Sequence, residues 1–107
     1  MTVNNAEITT AENKISNISI NGSNVQLNLS DSNESICSVK GNSNVVNAGN
    51  GSYDVTISGI GSTVNFSQGT GYIEVLDGSA DNSIYGNQAD VTVLNMGSNT
   101  AIHNCDT

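Results

Sequence analysis

His103, Cys37 and Cys105 carry the widest chemical repertoire in this sequence, as nucleophiles, proton carriers or metal ligands. Each of those roles needs company: a nucleophile needs a base within hydrogen-bond reach, and a transition metal needs several convergent donors. His103 is the sole histidine, and no Cys, Asp or Glu stands at a ligand spacing beside it on its strand, so it reads as a surface residue. No nucleophile is paired with a base anywhere in the chain. An enzyme is not expected, and neither is a cofactor. The carboxylates are more suggestive, because Glu34, Asp54, Glu74 and Asp90 recur along the chain, with Asp77 and Asp81 in a turn among them. Carboxylates in series can chelate calcium, protect sheet edges by charge, or imitate the phosphates of a nucleic acid.

Charge narrows the partners. Ten acidic residues against two basic ones give a net charge of −8. Lys14 and Lys40 cannot build a basic patch, so direct nucleic-acid binding is not expected, and an anionic membrane surface is disfavoured likewise. Residues 1–20 contain no basic start followed by an apolar core, and no stretch approaches the roughly 20 apolar residues of a membrane span. No leader and no membrane insertion are therefore expected, although a mature form with its leader removed would read the same. An extracellular, cell-surface or virion-associated location is favoured, with a cytoplasmic one left open.

Such residues must be positioned by short strands. The chain has 107 residues with three Tyr, one Phe, no Trp and no Pro, which gives an ordinary globule little to fill its centre. It is crowded with Asn, Ser, Gly and Thr, a bias that goes with disorder unless apolar residues recur regularly. They do recur. One series has Ile18-x-Ile20, Ile36, Val55-x-Ile57, Ile73-x-Val75 and Val91-x-Val93, at steps of 18 or 19. A second has Val25-x-Leu27, Val45, Val64-x-Phe66, Ile84 and Ile102, at steps of 18 to 20. Two strands thus recur in each coil of about 18–19 residues. Before the second strand stand small polar pairs, Ser23-Asn24, Ser43-Asn44, Ser62-Thr63, Asn82-Ser83 and Thr100-Ala101, suited to hydrogen bonding with the coil above and below. Glycines at 22, 41, 59, 61, 78 and 97 sit just upstream, where the chain must bend sharply with positive φ.

A pair of such strands cannot bury an apolar face alone, whereas stacked coils share one interior. The expected fold is all-β, a two-sheeted β-solenoid of five to six coils over residues 15–107, with residues 1–14 as a partial coil or cap. Period-2 alternation points Ile18/Ile20, Val55/Ile57, Ile73/Val75 and Val91/Val93 inwards and leaves Ser19, Cys37, Thr56, Glu74 and Thr92 as an outward column. Cys37 and Cys105 are then separated by nearly four coils, or roughly 17 Å at strand spacing, too far for the about 7 Å reach of a disulfide. Both are expected as free thiols or in bridges between molecules. An antiparallel sandwich explains the strand count but not the near-constant spacing.

The units Ile18-x-Ile20-Asn21-Gly22-x-Asn24-Val25, Gly41-x-x-Asn44-Val45 and Val55-x-Ile57-x-Gly59-x-Gly61-x-Thr63-Val64 resemble the G-x-x-N-x-V repeat domain of unknown function found in actinobacterial lipoproteins. The resemblance spans most of residues 18–102. It implies a β-solenoid and brings no established activity, and no lipid-bearing cysteine stands at this N-terminus. The segment from Gly78 to Gly86 is similar in cadence to calcium-binding nonapeptide repeats, but the chelating position is Asn82, and elsewhere Ser23, Ser43 and Ser62, so a calcium ladder is not expected. Grass-type ice-binding proteins use similar coils of about 14 residues. Here the outward columns, one interrupted by Glu74 and the other reading Gln26, Val46, Asn65, Tyr85, His103, lack the regularity that ice requires.

The expected role is a non-catalytic structural or interaction module, acting through self-association or within a larger surface or viral assembly. An acidic DNA-mimic inhibitor of a nucleic-acid enzyme is the alternative, and an ice-binding protein a further one. Interaction is expected at Ala101, Ile102 and His103, where the last coil lies open to another copy in a head-to-tail or closed homo-oligomer, or to another protein, and at Glu34, Asp54, Glu74 and Asp90.

Overall fold

The computed structural model describes residues 2–9, 16–29 and 32–105. Short alternating runs bounded by Gly, Asn and Ser make strands and corners, and the described residues contain no helix. One sheet is built from short strands: β1 (Glu7–Thr9), β3 (Gln26–Leu29), β5 (Val45–Ala48), β7 (Thr63–Asn65), β9 (Ser83–Tyr85) and β11 (Ala101–His103). The other has longer ones: β2 (Ser16–Asn21), β4 (Ser32–Lys40), β6 (Asn50–Ser58), β8 (Gln68–Val75) and β10 (Asp90–Asn95). Every pairing is parallel and joins a strand to the one two places along, so the chain winds between two sheets as a β-solenoid.

The winding makes about four turns, from β2 to β10, rather than five to six. The difference lies at the ends, where β1 and β11 each contribute one short strand. β1 nevertheless pairs with β3, and Thr2 bridges to Asn21, so residues 2–9 belong to the stack, while 10–14 of the expected cap lie outside the described residues. The Cα envelope measures 34 × 31 × 16 Å, its thin dimension that of two facing sheets.

The interior follows a half-coil of nine residues. Ile18, Leu27, Cys37, Val46, Val55, Val64, Ile73, Ile84, Val93 and Ile102 alternate between the sheets and share the innermost columns. The step lengthens by one residue between Leu27 and Cys37, and by two between Ile73 and Ile84. The second of these falls at the turn closed by the Ser79 N–H donating to the Leu76 carbonyl at 3.2 Å. A neighbouring pair of columns adds Ile20, Val39, Ile57 and Val75 on one side and Leu29, Ala48 and Phe66 on the other, all buried. Each buried Val, Ile, Leu or Phe among them contributes about 1.5–3 kcal/mol on leaving water. Phe66 fills the space opposite Gly71, where a Cβ would collide with its ring, and meets Tyr53 edge-on at 6.2 Å.

Three register expectations are corrected. Cys37 is buried and pairs with Ile18 and Val55, whereas Ile36 is 43% exposed and pairs with Asp54 on the outer face. Val46, not Val45, is the inward residue of β5. Val93, not Val91, stacks on Ile73, because the longer turn carries β10 two residues along and sets Val91 beside Gly71. The outward column is therefore Ser19, Ser38, Thr56, Glu74 and Leu94. A one-residue slip exchanges the two faces of a strand, which is why Cys37 and Ile36 trade places together.

The corners are held by side-chain amides. Asn44, Ser62 and Asn82 occupy one buried column. The Asn44 N–H donates to Ser62 Oγ at 3.2 Å, and the Ser62 N–H donates to Asn82 Oδ1 at 2.8 Å. The residue before each, Ser43, Gly61 or Asp81, is left-handed, as are Asn24 and Asn99 at the same corner of the flanking coils, all with φ between 52° and 74°. Gly41 and Gly59 are required twice over, by φ of 129° and 143° and because a Cβ at either would overlap the carbonyl of the stacked glycine, Gly22 or Gly41. Gly22 and Gly97 were expected in the same conformation but are not among the positive-φ residues. They are glycine because Val3 and Ser79 carbonyls lie against them.

Candidate functional site

At the C-terminal end of the stack, β10 and β11 are the outermost strands of their sheets, and among the described residues no strand pairs with their outer edges. Period-2 alternation along β11 sends Ile102 inwards, over Ile84, where it is half-buried. Ala101 and His103 point outwards and are exposed. The His103 ring stacks on Tyr85 of the coil beneath, with centroids 4.7 Å apart and planes 4° from parallel. Beyond it the chain turns back at Asn104, φ 57°, so that Cys105 packs against the edge of the core. Its thiol donates to the His103 carbonyl at 3.2 Å. The opposite end mirrors this arrangement, since Ile8 of β1 is half-buried over Leu27 in the same inner column.

Below His103 the outer face of the short-strand sheet continues as an asparagine ladder. Asn65 Nδ2 donates to Asn47 Oδ1, and Asn47 Nδ2 to Asn28 Oδ1, each at 3.0 Å. The second outward column of that sheet is thus Asn28, Asn47, Asn65, Tyr85 and His103, with Val46 removed to the core.

Three of the expected carboxylates, Asp54, Glu74 and Asp90, share the outer face of the long-strand sheet but do not form a line. Asp54 stands between Ile36 and Tyr72, Glu74 between Thr56 and Leu94, and Asp90 beside Thr70, so the three occupy three different columns. Glu34, on β4, lies outside the residues whose side chains are described. Among the described residues no three His, Cys, Asp or Glu gather as a metal site. Both described cysteines are free thiols, and burial by the surrounding core pushes the Cys37 thiol up to about 12.

Sequence reasoning passed over one feature of this face, a hollow of about 300 Å³ between β6 and β8 lined by Ser52, Asp54, Thr70 and Tyr72 over the backbone of Tyr53 and Gly71. Its only signal was the run Gly69-Thr70-Gly71-Tyr72, which reads as a turn. A second missed feature is the pair Leu94 and Met96, both about half exposed, at the end of the edge strand β10. Comparison with family models, with curated proteins and with solved structures gave no match.

Proposed function

We propose that this chain is a non-catalytic assembly module that adds copies of itself end to end, within a larger surface or viral structure. The observation that carries the reading is that the two end strands of one sheet, β1 and β11, expose the same inner column, through Ile8 and Ile102. Continuing the stack would set Ile8 of a second copy on Ile102, Glu7 beside Ala101 and Thr9 beside His103, in the register already used between β1 and β3. Such a contact is heterologous and propagates into a filament, or into a ring where the rotation closes. It covers two open strand edges, the usual liability of a parallel sheet. The apolar pair Leu94 and Met96 adds area beside the joint.

Sedimentation or light scattering across a dilution series tests it. The particle should grow with concentration, and Ile8→Lys or Ile102→Lys should each hold it at the mass of one chain, whereas Asp54→Asn should leave assembly unchanged. A particle that stays monomeric at millimolar concentration would overturn the proposal.

A further inference from the structure

Away from the ends, the hollow between β6 and β8 has the makings of a binding site. Its volume of about 300 Å³ lies at the small end of ligand pockets. The inward positions at this end of the two strands are Gly51, Tyr53, Gly69 and Gly71, with Gly69 paired to Gly51, Gly71 to Tyr53 and Phe66 directly beneath Gly71, so the Tyr53 ring turns into the core and the floor of the hollow is backbone. The walls are two cross-strand pairs, Ser52 with Thr70 and Asp54 with Tyr72. Tyr72 is 41% exposed, and Asp54, Ser52 and Thr70 are exposed as well. No side-chain hydrogen bond or ion pair within the described residues engages any of the four, although small polar side chains elsewhere on this stack are tied into ladders.

We infer that this hollow binds a neutral pyranoside ring. A sugar ring offers an apolar C–H face to an aromatic side chain, which Tyr72 supplies, and a rim of hydroxyl groups that both donate and accept. The Asp54 carboxylate accepts from two adjacent hydroxyls, the charge-assisted form of the bond, and the Ser52 and Thr70 hydroxyls answer the remainder in either sense. The net charge of −8, with Asp90 next to Thr70, repels acidic sugars. The shallow, open shape suits one ring of a glycan chain that passes across the sheet. A single ring on so few contacts binds weakly, with a dissociation constant of about 1–10 mM.

The test is an amide NMR titration of the full chain with methyl glycosides of neutral hexoses and of N-acetylhexosamines, alongside a uronic acid and choline. At least one neutral glycoside should give saturable shifts at the Ser52–Asp54 and Thr70–Tyr72 amides. Tyr72→Ala and Asp54→Asn should each weaken that binding about tenfold or more, while circular dichroism shows the fold retained. Should Tyr72→Ala prove unstable, Thr70→Val gives the same reading with a smaller loss. The inference is overturned if no neutral glycoside saturates these amides, if only choline or the uronic acid does so, or if the folded variants bind as the parent does.

Discussion

Asn44 reaches across a coil to Val25: its Oδ1 accepts the buried Val25 N–H at 3.0 Å, while its Nδ2 donates to the Gly22 carbonyl at 2.9 Å. One side chain thereby satisfies two backbone groups that the corner removes from the sheet ladder. Asn82 repeats the device two coils further along the same column, accepting from the Ser62 N–H and donating to the Gly59 carbonyl at 3.1 Å. Asn44→Ala should cost about 2–5 kcal/mol, because it leaves both a buried donor and a buried acceptor unmade. Asn44→Ser, which retains an acceptor, should cost less. Urea melts of the two variants, read at constant m-value, check the order.

The register of the long-strand sheet is tested by neighbours. Ile57 is buried at 1% exposure between Val39 and Val75, whereas Thr56 looks outwards beside Glu74. Ile57→Asp should prevent folding, since an unpaired carboxylate in a narrow apolar stack costs more than a domain of this size can spare. Thr56→Lys should shift stability by about 1 kcal/mol or less, and in the favourable direction given the carboxylate opposite. Circular dichroism melts distinguish the two outcomes.

The thiols should behave unequally. Cys105 at the edge should react with a thiol reagent in the native protein, and Cys37 only after denaturant is added. The same burial makes stability pH-dependent. The unfolded thiol loses its proton near 9.0 and the native one keeps it to about 12, so between those values the unfolded state binds fewer protons and stability falls as pH rises. The contribution is whole below 9 and is lost at about 1.4 kcal/mol per pH unit above it. Cys37→Val, flanked by Ile18 and Val55, should flatten that alkaline limb in denaturation curves taken from pH 8 to 11.

Glycines at the corners are not equivalent. Gly59→Ala should abolish folding, since the new Cβ would overlap the Gly41 carbonyl. Gly61→Asn should be tolerated, because the nearest atom to a Cβ there is Ser43 Oγ at 3.8 Å and Asn24 and Asn99 already hold the same left-handed corner. Thermal melts of the purified variants give the comparison.

The solenoid was legible in the near-constant spacing of apolar pairs. The faces were less so. Ile36-Cys37 and Val45-Val46 each place two apolar residues side by side, so either can point inwards, and the choice is made by the column neighbours Ile18, Val55, Leu27 and Val64. Cysteine packs as a small apolar residue, which hid it from a reading based on Ile and Val. The shift at β10 was concealed because Val91-x-Val93 also satisfies an 18-residue step. Only the turn from Leu76 to Ala80 makes the true step 20. The shift at β10 also takes Asp90 out of the column of Asp54 and Tyr72, where an 18-residue step would set it, and puts it beside Thr70, while Glu74, twenty residues after Asp54, stands in a column of its own.

Nearly every backbone bond that fixes a corner joins a residue to one a single coil away, as between the Gly22 N–H and Lys40, the Gly41 N–H and Ser58, and the Ser83 N–H and Ser62. The molecule is therefore laced in one direction only, and tension between its two ends would load one coil at a time rather than shear a sheet as a whole. Pulled from both ends, it should lengthen in steps, each paying out one coil of 18 to 20 residues, or about 60–70 Å of extended chain. A single-molecule force trace would show a low staircase in place of one tall peak. A filament of such units would give under load by unspooling from an end, and would rewind coil by coil when released.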